Sequence, residues 1–85
     1  MKFVFSKHAL DQIKLRQIKK EDILKAIEKP LETITTKEEK VFHHVIISEG
    51  KKYLLRIFVN HLKVPNLIKT VYRTSKISKY HEGKI

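Results

Sequence analysis

The sequence predicts an α+β fold: two N-terminal helices packed on one face of a four-stranded antiparallel sheet, in a single domain over residues 1–85. Three observations predict it. Apolar residues recur with helical spacing ahead of Pro30, whereas after it they alternate or run together in β-branched and aromatic stretches. The connections between those later stretches are short, which favours antiparallel pairing. Two short helices cannot enclose a core alone, so their apolar faces require the sheet as a partner. Eighty-five residues are enough for one core of this kind and no more.

Ser6 followed by KHALDQIKLRQ reads as a helix with a serine N-cap, whose hydroxyl can satisfy an otherwise orphaned N–H of the first turn. At 100° per residue Ala9, Leu10 and Ile13 share the face expected to be buried. His8, Gln12 and Arg16 form a polar row along its flank. The second helix, KKEDILKAIEK, carries Glu21 and Asp22 where the helix dipole favours acids. It is expected to bury Ile23, Leu24 and Ile27, and Pro30 stops it. ETITT alternates like an edge strand. VFHHVIIS and YLLRIFVN follow, joined through SEGK, where Gly50 is the natural positive-φ residue of a hairpin. After the polar break HLKVPN, LIKTVYR forms the last strand. Period-two alternation places Tyr53, Leu55, Ile57 and Val59 on the helix-covered side and Leu54, Arg56, Phe58 and Asn60 on the other. Arg56 therefore stands on the open side of a central strand, either paired with an acid or facing an anion.

Net charge is +10, and its distribution is uneven. Residues 51–85 hold nine Lys or Arg against the single acid Glu82, whereas residues 1–50 hold ten against eight. That asymmetry points to a polyanion or an acidic protein as partner. There is no cysteine, so neither a disulfide framework nor a thiolate metal site is available. The apolar run near the start is too short for a signal peptide, and no segment has the length of a membrane span, so a cytoplasmic protein is expected. His43 and His44, adjacent in a strand, point to opposite faces and cannot readily share an ion; no metal and no other cofactor is expected.

FSKHALDQIKLRQIKKEDILKAIEKP, with a His opening the first helix, an Arg before the Ile that leads into the second, and a closing Pro, resembles the prokaryotic family named domain of unknown function 4258. TVYRTSKISKY resembles that family's closing strand and basic tail, while Gln12 stands where the family usually has a basic residue. The resemblance implies a helices-then-sheet fold similar to the RelE, BrnT and barnase–colicin class of small ribonucleases, many of them toxins held by an antitoxin.

Metal-independent RNA cleavage needs a base for the 2′-hydroxyl, cations for the phosphorane and an acid for the leaving oxygen. The residue types are present. His8 is the candidate acid/base, and Arg56, Arg73 and Lys76 are the candidate phosphate clamps. Tyr80 is a stacking or proton-donating group. Arg16, Thr74, Lys79 and His81 are candidate substrate contacts. Each has a plainer reading: His8 bonded to backbone near the helix start, Arg16 paired with Asp11 or an acid of the second helix, Tyr53 and Tyr72 packed in strands. The expected function is an RNA-binding endoribonuclease of toxin–antitoxin type, with an acidic antitoxin as partner. The alternative is a non-catalytic nucleic-acid or protein-interaction module. A monomer is expected, or a weak homodimer through the ETITT edge. The ribonuclease reading requires these cations to converge in one hollow.

Overall fold

The computed structural model describes residues 3–82. The chain runs β1 (Phe3–Phe5), α1 (Lys7–Leu15), α2 (Lys20–Glu28), β2 (Glu32–Thr35), β3 (Lys40–Ser48), β4 (Lys51–Asn60), β5 (Asn66–Thr74) and a one-turn helix α3 (Ile77–Tyr80). The fold is α+β, but the four-stranded antiparallel sheet expected from the sequence is corrected: the sheet has five strands in the order β1-β5-β4-β3-β2 and is mixed. The added strand, β1, runs parallel to β5, with Phe3 opposite Asn66 and Phe5 opposite Ile68. Three residues are too few to show an alternation, so FVF carries no strand signal of its own. It pairs because Ser6 ties three elements together. Its N–H donates to the carbonyl of Ile68 (2.9 Å), its hydroxyl donates to the carbonyl of Lys69 (2.9 Å), and the same hydroxyl accepts from Ala9 N–H (3.0 Å) as the N-cap of α1.

Both long helices lie on one side of the sheet. Ala9, Ile18, Ile23 and Ala26 meet Ile46, Leu55, Ile57, Val59, Ile68 and Val71, with Phe3, Phe5, Ile13, Ile27, Phe42 and Tyr53 packed around them. Two expected core residues are corrected. Leu10 and Leu24 are about half exposed, at 52% and 53%, and Ala9 and Ala26 take the positions nearest the sheet. The helices approach closely where their side chains are small, which leaves the larger leucines on the flanks. Arg16 ends α1, and Gln17 follows with φ 53°, a left-handed turn that lets Ile18 N–H reach back to Ile13 O (3.0 Å) and drives Ile18 into the core.

The hairpin between β3 and β4 closes through Glu49 and Gly50, both at positive φ (52° and 76°), as the SEGK turn requires. In β5, Ile68 and Val71 both face the core although three residues apart. The register slips between Phe58 and Val59, pairing Phe58 with Thr70 and Val59 with Ile68 and leaving Lys69 as the extra residue. Downstream of that bulge Tyr72 faces the open side of the sheet and Arg73 the helix side. β2 is an edge strand, as its alternation suggests, and Thr33 to Thr35 are exposed. Among the described residues no helix is long and apolar enough to cross a membrane.

Candidate functional site

The face of the sheet away from α1 and α2 carries a polar row that runs across four strands. Register places Glu32 of β2 opposite His43 of β3, His43 opposite Arg56 of β4, and Arg56 opposite Tyr72 of β5. Directly opposed residues on one face of a sheet are within contact distance, and here they are joined. His43 Nδ1 lies 2.6 Å from Glu32 Oε1, Arg56 Nε–H donates to His43 Nε2 (3.0 Å), and Arg56 Nη1–H donates to the Tyr72 hydroxyl. His43 is fully buried, so both of its ring nitrogens are spoken for by protein.

α3 brings the chain back over this row. His81 Nδ1 sits 2.7 Å from the same Glu32 Oε1 that His43 uses. The Tyr80 ring lies 4.1 Å from the Arg56 guanidinium carbon, with Phe58 and Tyr72 at 4.9 and 5.5 Å. Phe58 and Tyr72 are themselves stacked (5.9 Å, 16°). Arg56 is thus held by an imidazole, a phenol and three rings, and no carboxylate among the described residues lies within ion-pair distance of it. Two of its five N–H donors are engaged, and the remaining three have no bond among the described residues. That combination, a positioned guanidinium with open donors and no acid, suits an oxyanion.

Two groups of this site titrate away from their ordinary values. The Glu32 carboxyl is lowered, chiefly by the hydrogen bond from His81; burial opposes this, and the hydrogen bond from His43 and the charges of both imidazoles add to the lowering. The Tyr80 phenol is also lowered, chiefly by its hydrogen bond with Tyr72 and then by the charges of Lys79 and Arg56. A carboxylate bridging to an imidazole Nδ1 leaves the other nitrogen of His81, Nε2, available to take or give a proton. Beside it stands a phenol made more acidic than usual.

Glu32, His43 and His81 also bring three ligand atoms within 4.8 Å of one another, so a metal has to be tested against them. The donor set does not fit one. Arg56 is a permanent donor into His43 Nε2, which places the ring hydrogen on Nδ1, the atom facing Glu32. A cation bound to Nδ1 would move that hydrogen to Nε2, where it would meet the Arg56 N–H, whereas metal-bound histidines normally donate to an acceptor behind them. The three residues form a hydrogen-bonded bridge.

Of the residues singled out by sequence, Arg56, Tyr80 and His81 come together here, with Lys79 alongside (Nζ 5.4 Å from the Tyr80 ring). Lys76 begins α3 and is exposed, its backbone N–H held by Thr74 Oγ1 (3.1 Å). The others do not join them. Arg73 is on the helix side, 4.7 Å from the Tyr53 ring, lining a hollow of about 190 Å³ with Gln17, Lys19, Asp22 and Glu49. His8 and Arg16 are exposed on α1 and at its end, across the sheet from Arg56. Arg16 has no ion pair among the described residues. The single hollow expected from the sequence is therefore corrected: Arg56 and Arg73 lie in two separate places, the second with Asp22 and Glu49 balancing Arg73 and Lys19, because Tyr72 and Arg73 are neighbours in a strand and neighbours point opposite ways. Sequence reasoning missed Glu32, His43 and Tyr72 as members of the site. The available signal was cross-strand register, which needs the hairpin pairing and the β5 bulge to be known.

Fold and site together define a small basic α+β domain with a guanidinium–imidazole–carboxylate row on an open sheet face and a C-terminal turn laid over it. The chain belongs to the family described as domain of unknown function (DUF4258), whose profile matches residues 5–73. No curated protein and no solved structure matches it.

Proposed function

We propose that this protein binds RNA on the open face of its sheet and cleaves it without a metal ion, in the manner of a toxin-type endoribonuclease. The observation that carries the reading is Arg56, with three donors unfilled among the described residues, set beside the Glu32–His81 bridge and the acidified Tyr80 phenol. RNA suits such a site because its own 2′-hydroxyl is the nucleophile, so no water has to be activated by a metal. His81 Nε2 takes the proton from the 2′-hydroxyl, with Glu32 holding the imidazole from behind. The 2′-oxygen attacks phosphorus, and Arg56 steadies the charge on the non-bridging oxygens. The bond to the 5′-oxygen breaks and Tyr80 protonates that oxygen, leaving a 2′,3′-cyclic phosphate and a 5′-hydroxyl. Lys76 and Lys79 supply non-specific attraction to the flanking backbone. The single hollow required on sequence grounds is not formed, so this reading gives up His8, Arg16 and Arg73 and rests on Arg56, Tyr80 and His81 alone, with the acid/base role of His8 passing to His81. An acidic protein that covers the cationic second half of the chain is the matching antitoxin, and the cytoplasm is where both would act.

The test is cleavage of a labelled single-stranded RNA in EDTA, comparing wild type with Arg56→Ala, His81→Gln and Tyr80→Phe. Cleavage with a cyclic-phosphate product is expected, lowered by about 10²-fold or more in the His81 and Tyr80 variants. A 2′-O-methyl RNA should bind and stay whole. Salt-sensitive binding with no cleavage of any RNA overturns the enzyme and leaves the non-catalytic binding module; no binding overturns both.

A further inference from the structure

We infer that His43 is the positioning residue of this site: locked in the Nδ1–H form, its buried ring fixes the Arg56 guanidinium edge-on to the ligand and joins it to Glu32. An ordinary core histidine needs one partner, usually a backbone group. His43 has two side-chain partners, at 2.6 and 3.0 Å, and they are the two charged members of the row. The direction of each bond is decided by the guanidinium, which can only donate. Nε2 must then accept, and the single ring hydrogen points from Nδ1 to Glu32. Arg56 is spread over three aromatic rings that hold it against the face without setting its rotation. Rotation of the guanidinium plane is set by the two directional bonds, Nε–H to His43 and Nη1–H to Tyr72, with its other three donors unfilled among the described residues. His43 itself never touches the ligand, since it is fully buried.

This inference rests on the ribonuclease reading only for its activity measurements. The first test uses the unaltered protein: long-range 1H–15N correlation of the imidazoles should show His43 with its hydrogen on Nδ1 and a bare Nε2. A hydrogen on Nε2 overturns the inference, whatever the protein does to RNA. The second compares His43→Gln with His43→Phe. A glutamine amide can accept from Arg56 through its carbonyl and donate to Glu32 through its N–H; phenylalanine fills the space and does neither. Tyr80 ionisation, followed by absorbance near the phenolate band and assigned with Tyr80→Phe, should stay as in wild type in the glutamine variant. In the phenylalanine variant it should rise, because a displaced Arg56 releases the Tyr72 hydroxyl whose hydrogen bond is the chief cause of the lowered Tyr80 value. If RNA is cleaved, kcat should fall about tenfold or more in the phenylalanine variant and less than about threefold in the glutamine one. Equal behaviour of the two variants, both altered or both unaltered, overturns the positioning role. Absence of cleavage in wild type overturns the ribonuclease reading and leaves the imidazole and phenol measurements to decide this one.

Discussion

Replacing Arg56 by leucine removes the donor to His43 Nε2, the only one among the described residues, from an acceptor with no access to water. Leaving a buried acceptor unsatisfied costs about 1–3 kcal/mol. Loss of the guanidinium from the Tyr80 ring at 4.1 Å costs about 0.5–1 kcal/mol more. The expected loss is therefore about 1.5–4 kcal/mol, which for a domain of this size lowers Tm by about 6–30 °C. His43→Leu alone should cost less, about 1–2 kcal/mol, because the half-buried Arg56 can turn its freed Nε–H to water. The double variant decides the matter. With both partners apolar no orphaned group remains, so the two losses should fall short of adding by about 1–2 kcal/mol. Urea unfolding followed by circular dichroism on wild type, both singles and the double measures this coupling. Additivity within about 0.5 kcal/mol would show that the two side chains do not bond and would refute the row as described.

Two further outcomes follow from other parts of the molecule. Glu32 has a folded pKa below its ordinary 4.5, so the stability it contributes is fully present above that value and is lost as pH falls through the lowered one. Glu32→Gln should accordingly be less stable than wild type at neutral pH and converge with it well below pH 4.5; parallel stability curves for the two proteins across that range would contradict the His81 and His43 bonds. In the core, Leu55→Ala should cost about 2–5 kcal/mol, whereas Leu10→Ala, at a half-exposed helix position, should stay within about 0.5 kcal/mol. Equal costs by thermal unfolding would mean that α1 packs on a different face.

Fold and site were not equally legible in the sequence. Helix ends, the face of β4 and the SEGK turn were legible because each is set by signals within a few residues: a serine hydroxyl within reach of the third N–H beyond it, alternation along one strand, a glycine at positive φ. β1 was not, since three residues have no period and its pairing partner lies more than sixty residues away. Leu10 and Leu24 were misplaced for a related reason: periodicity gives the side of a helix that faces inward, but the distance of approach depends on how small Ala9 and Ala26 are where they touch the sheet.

At the site the division is sharper. From the chain alone came the cationic second half, an arginine on the open side of a central strand, and a tyrosine–histidine pair close behind the last strand. Only the folded arrangement decided which of these would meet. Register put Glu32, His43, Arg56 and Tyr72 in one line, and the bulge at Lys69 set the phase that turned Tyr72 toward Arg56 and Arg73 away from it. The physical reason is that a strand's side-chain period is two, so a single inserted residue exchanges the faces of everything beyond it, and no local composition records that exchange.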